Sequence, residues 1–149
     1  MTEDQLEKLC LEWFAEGGWE IAHGPYLAPD GASPERSDYR QVLLLGDLEN
    51  AIRQLNPHLP NSAVEQAINT LRQPASLDMV VSNRTFHRLL LDGVPVEYKA
   101  DDQVKHDRAL LVDFQNVENN RFRAINQFTL QGSKQLRRPD VLCFINGLP

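Results

Sequence analysis

Asp140 follows Pro139 and precedes the unbroken apolar run Val141-Leu142-Cys143-Phe144-Ile145, which sets one carboxylate at the mouth of a buried strand. A carboxylate held rigidly at the end of a sheet is the kind of group that fixes Mg²⁺ against a substrate phosphate and helps generate an attacking hydroxide. One carboxylate does not suffice for that chemistry, and a Pro-Asp pair taken alone also reads as a solvated residue opening a strand. Arg137 and Arg138 stand next to Asp140 and are the basic pair best placed to take a phosphate. Arg84 with Arg88 and Arg121 with Arg123 read as solvated faces. Glu3 and Glu7 lie four apart, so they share one flank of a helix, near an N-terminus whose dipole favours them with or without a chemical role.

The elements that must position these residues are legible in outline. Thr2 to Gln5 has the form of a capping box, and Leu6, Leu9, Cys10, Trp13 and Phe14 follow at helical spacing up to Gly17-Gly18. That pattern predicts a helix with an apolar stripe. Trp19 to His23 predicts a short strand, and Gly24 to Pro34 a loop. Tyr39 to Leu45 fits either a strand or a buried helix start. Asp47 can cap a helix through Leu55, Ser62-Ala63-Val64-Glu65 supplies a second capping box for a helix to about Arg72, and Asn83 can cap a third through Leu91. From Val94 the pattern turns to strands at Val94 to Tyr98, Ala109 to Phe114, Phe122 to Leu130 and Val141 to Ile145. Lys99 to Asp107 and Gln115 to Asn120 read as polar loops between them, and Asn146-Gly147 suits a type I′ turn after the last strand. The expected fold is α+β, N-terminal helices followed by a mainly antiparallel or mixed sheet, in one domain over residues 1–149.

The string from Arg137 to Pro149 resembles the start of the nuclease motif in the restriction (HsdR) subunit of type I restriction-modification enzymes. Arg36 to Leu45, Leu55-Asn56-Pro57, Asn83 to Leu90, Asp92-Gly93-Val94, Asp113-Phe114 and Asn126-Gln127-Phe128 are similar to that family as well, so the resemblance runs along most of the chain. It implies a restriction-endonuclease-like fold with a PD-(D/E)xK site, in which Asp140 matches the first metal-binding Asp. The family's motif continues into a second strand carrying Glu-x-Lys, which has no counterpart within residues 1–149. Residues 1–149 by themselves are therefore expected not to cut DNA. Related nucleases often lend a helix carboxylate to the metal, which makes Glu7 the second candidate metal ligand, against its plainer reading as a solvent-facing glutamate. The resemblance further implies Mg²⁺ as cofactor, DNA as substrate, methyltransferase and specificity subunits as partners, and an ATP-driven motor outside this segment.

Composition is that of an ordinary soluble fold, with 149 residues, 42% hydrophobic and 24% charged. No stretch approaches a membrane span and the acidic start is unlike a signal peptide, so a cytoplasmic location is expected. The net charge of −6 argues against a domain that grips DNA by bulk electrostatics. Cys10 and Cys143 fall in apolar patterns and read as core residues. The four histidines lack metal-ligand spacing, which speaks against zinc, and read as ordinary loop or helix residues. No phosphate-binding glycine loop, dinucleotide fingerprint or serine-nucleophile elbow occurs. Clustered Asn116, Asn119 and Asn120, with Gln127, have amides suited to nucleic acid but are explained more simply as turn formers. The reading that follows is the N-terminal, DNA-cleaving part of an R subunit. Its rival is a non-catalytic module that docks the subunit onto methyltransferase or motor partners, with Asp140 structural.

Overall fold

The computed structural model describes residues 1–73 and 78–149. In chain order its elements are α1 (Glu3–Glu16), β1 (Glu20–His23), α2 (Gly24–Leu27), α3 (Leu45–Leu55), α4 (Asn61–Arg72), α5 (Met79–Asp92), β2 (Val94–Ala100), β3 (Gln103–Ala109), β4 (Phe122–Asn126), β5 (Leu130–Gln131), β6 (Leu136–Arg137) and β7 (Val141–Ile145), with a 3₁₀ turn at Val117–Asn119. The architecture is α+β with small mixed and antiparallel sheets, as expected. The chain forms two compact units, Met1–Gly46 with Arg121–Pro149, and Asp47–Asn120.

In the first unit β4 is the middle of three strands. β1 runs parallel to it, pairing Glu20 with Arg123 through His23 with Asn126, and β7 runs antiparallel, pairing Phe122 with Ile145 through Asn126 with Val141. Buried Leu27, Leu44, Ile125, Phe128 and Phe144 form the core, with the two phenylalanine rings 5.1 Å apart. The Thr2 capping box forms in both directions, Gln5 N–H donating to Thr2 Oγ1 and Thr2 N–H to Gln5 Oε1. The α1 stripe needs correcting, because no α1 residue is fully buried and Leu6 and Trp13 are 54% and 60% exposed. α1 packs on β1 and β4 through part of the stripe only, half-buried Leu9, Cys10 and Phe14 joined by Glu7 and Leu11, and Trp19 sits there between the rings of Phe14 and Phe122. Glu7 belongs to that face, and an apolar count cannot register a carboxylate as the residue that faces a sheet.

Three details hold the sheet's ends. Asn146 and Gly147 have φ of +52° and +78°, the expected type I′ turn, and Ile145 and Leu148 exchange backbone hydrogen bonds across it. The buried Asn146 also accepts the Arg121 N–H at 2.8 Å, and Leu44 N–H donates to Gly147 O. Arg36 is 3% exposed and donates to the carbonyls of Tyr39, Gln41 and Thr129 while its guanidinium lies 3.9 Å from the centre of the Phe128 ring. Burial pulls its pKa below the ordinary arginine value. The Tyr39 to Leu45 segment is thus mostly irregular, fastened by Arg36, and only Leu45 enters a helix.

In the second unit α4 packs on the antiparallel ribbon of β2 and β3. The Gln66 side chain brackets the Glu97 backbone, donating to its carbonyl and accepting from its N–H. Helix starts differ from expectation. α3 begins at Leu45 with Asp47 buried inside its first turn. α4 begins at Asn61 after Pro60, whose restricted φ brings the chain into the helix before Ser62 can cap it. α5 is capped by Asp78, which accepts from Val80 and Val81 N–H, so Asn83 lies one turn inside. The polar stretch Lys99 to Asp107 is not a loop but the hairpin itself, turning at Asp101 and Asp102 with φ of +52° and +58°. Only Ala109 of β3 is buried, so the strand carries no apolar alternation to read. Beyond Ala109 the expected strand ends because Leu110 spends both backbone groups on the Asn56 side-chain amide. Among the described residues no helix is long and apolar enough to cross a membrane.

Candidate functional site

The expected strand from Phe122 to Leu130 breaks after Asn126. Gln127 has a φ of +51°, a conformation that costs a non-glycine residue about 1–2 kcal/mol, and β5 resumes only at Leu130. What holds Gln127 there is a set of contacts that gather the site. Its N–H donates to the carbonyl of Asp140 at 3.0 Å, and its side-chain amide donates to Glu7 Oε2 at 2.5 Å. Asn126 Nδ2 donates to Glu7 Oε1 at 2.7 Å. Gly24 lets the backbone come this close, since a Cβ there would stand 2.6 Å from the carbonyl oxygens of Asn126 and Gln127.

The orientation of Asn126 follows from this. Its NH₂ must face the carboxylate, so Oδ1 faces His23 Nδ1 at 2.7 Å and Nδ1 is the nitrogen that carries the proton. His23 also meets the Tyr26 ring edge to face, 4.9 Å between centroids. The chain of contacts therefore runs from the end of β1 through the end of β4 to the middle of α1.

A cleft of about 500 Å³ opens on this network. Glu7 and Asp140 both line it, as do Glu3, Asp4, Lys8 and Arg138. Asp140 is exposed immediately before β7, where the sequence sets it, and Glu7 is half-buried. Arg138 shares the cleft, whereas Arg137 lies exposed on β6 and is not among its lining residues. His23, Asn126 and Gln127 were not legible as site residues, because each becomes one only through pairing of β1 with β4 and the break after it. The signals at this place were the family-like string Asn126-Gln127-Phe128 and the Gln127 amide, neither of which points to Glu7 or His23.

Among the described residues no three His, Cys, Asp or Glu side chains are grouped to hold a metal ion. The donor set nevertheless fits Mg²⁺, which takes one or two carboxylates and completes its shell with water and substrate phosphate. Four carboxylates facing one Lys and one Arg leave the cleft two charges negative, a balance that a divalent cation offsets.

An α+β unit with carboxylates gathered at the end of a central mixed sheet is consistent with a nuclease-like fold. Residues 1–149 match the family model for the type I restriction enzyme R protein N terminus, and the chain belongs to that family. It is 39% identical over 150 residues to the type I restriction enzyme HindI endonuclease subunit of Haemophilus influenzae, covering 100% of this chain and 14% of that protein. It is 29% identical over 153 residues to a protein of Methanocaldococcus jannaschii assigned as type I restriction enzyme MjaIXP endonuclease subunit, again covering 100% of this chain and 14% of the relative. The chain thus spans about one-seventh of the length of each of these relatives.

Proposed function

We propose that this chain is the metal-holding part of a Mg²⁺-dependent DNA endonuclease, within the cytoplasmic R subunit of a type I restriction system. The observation that carries the reading is the bridge through Gln127, which ties the backbone of Asp140 and the carboxylate of Glu7 to one residue. In this reading Glu7 and Asp140 hold the cation, which when bound would polarise the scissile phosphate and favour ionisation of the attacking water. Asn126 and Gln127 keep both Glu7 oxygens in place, so the carboxylate does not have to reorganise when an ion arrives. Arg138 at the cleft, with Arg137 beyond it, takes phosphate oxygens of the DNA strand. The ATP-driven motor and the methyltransferase and specificity subunits belong to the rest of the assembly.

The rival reading, a non-catalytic docking module, has its own observation. No residue of α5 is buried, and Met79, Val80, Val81 and Leu91 are exposed on it. Calorimetric titration of the chain with Mg²⁺, and with Mn²⁺ as a tighter-binding probe, separates the two. Asp140→Asn and Glu7→Gln should each weaken binding at least tenfold while leaving the far-ultraviolet dichroism unchanged. Wild-type affinity in both variants would leave the carboxylates structural and the docking reading standing.

A further inference from the structure

A second hollow, of about 520 Å³, adjoins the carboxylate cleft and shares Leu11, His23 and Asn126 with it. Its chemistry is different. Among the described residues that line it there is no Asp, Glu, Lys or Arg; Ile21, Tyr26 and Leu27 supply apolar surface, and Ser33, His23 and Asn126 supply hydrogen-bonding groups. Two of these apolar side chains are unusually open for their type, Tyr26 at 60% and Ile21 at 41% exposure. The Tyr26 ring is also braced, by its edge-to-face contact with His23, which is itself fixed by Asn126. A neutral hollow with a braced, exposed aromatic ring and polar groups suits a flat heteroaromatic ligand with donors and acceptors on its edge. It does not suit a phosphate.

We infer that this hollow is a nucleobase subsite, in which one unpaired base of the substrate strand stacks on Tyr26 while the neighbouring phosphate lies in the carboxylate cleft. The inference rests on the nuclease reading and deepens it, because a base can reach Tyr26 only when it has left the duplex stack. The substrate of this site is then a strand locally opened beside the phosphate to be cut, and intact duplex is the poorer ligand. Sequence tolerance follows too, since every base presents a face that can stack.

Short oligonucleotides carrying 2-aminopurine, whose fluorescence is quenched by stacking, test this with the chain in Mg²⁺. Single-stranded probe should bind wild type and Tyr26→Phe with quenching, and more tightly than the same probe in duplex. Tyr26→Ala should bind about 5- to 160-fold more weakly, the range expected for loss of one stacked base, and leave the residual complex unquenched. Arg138→Ala should weaken binding while keeping the quench. If Tyr26→Ala binds and quenches as wild type while Arg138→Ala is weakened, the base subsite is overturned and the nuclease reading survives. Duplex binding as tight as single strand likewise overturns the subsite, and failure of every probe to bind wild type overturns both.

Discussion

Gln127 carries three duties at once: it ends β4 in a left-handed conformation, donates its N–H to the Asp140 carbonyl and holds Glu7 by its amide. Such a residue persists in a strained conformation only when its surroundings determine it more than once. Gly24 is the surrounding residue that leaves least room. Adding a Cβ there sets it 2.6 Å from two backbone oxygens, neither of which belongs to a flexible side chain. Gly24→Ala should therefore destabilise the chain by about 1–3 kcal/mol, as overpacking does elsewhere. It should also weaken divalent-ion binding, because Asn126 and Gln127 are the groups displaced. Chemical denaturation and the titration described above check the two effects on the same sample. Loss of stability with full ion affinity would separate the close approach from the site.

At the scale of elements, the β2–β3 ribbon shows how a turn can be set by backbone need against residue preference. Type I′ turns favour Asn-Gly or Asp-Gly because both central residues take positive φ, yet this hairpin has Asp101-Asp102. The second aspartate adds a left-handed cost and a like charge beside the first. Asp102→Gly should raise stability by up to about 1 kcal/mol, read as a higher urea midpoint with an unchanged slope. An unchanged or lower midpoint would mean that the Asp102 side chain contributes more than its conformation costs. The Asn146-Gly147 hairpin is the contrast, where residue type and backbone agree and the asparagine side chain additionally secures Arg121.

At the scale of the whole chain, the proposed nuclease reading requires DNA to be held against an unfavourable net charge. At −6 the chain repels a polyanion, and the cleft itself is acidic, so few direct phosphate contacts are available beyond Arg137 and Arg138. Two phosphate contacts give a salt dependence of about −1.4 for log affinity against log salt on a single strand, and about −1.8 on duplex. Fluorescence anisotropy across a salt series should return slopes of that size in Mg²⁺, with binding lost on adding chelator. A slope several times steeper would reveal a basic surface that these two arginines do not account for.

Legible in the residues alone were the capping box of α1, the Asn146-Gly147 turn and the position of Asp140 before β7; the α+β class came from the order of elements and the family from a resemblance spread along most of the chain. The first three are each specified by residues adjacent in the chain, through turn geometry, capping or an apolar run. The sequence also marked Glu7, though only as one of two plausible kinds of glutamate. Only the folded chain makes one network of Glu7, His23, Asn126, Gln127 and Asp140: parallel pairing of β1 with β4 and the packing of α1 on them join residues 103 and 119 positions apart, and antiparallel pairing of β4 with β7 sets Asp140 beside Gln127. That β3 is a strand is likewise a tertiary outcome, since a strand exposed on nearly every residue is held by backbone pairing with β2 and leaves no apolar period to read.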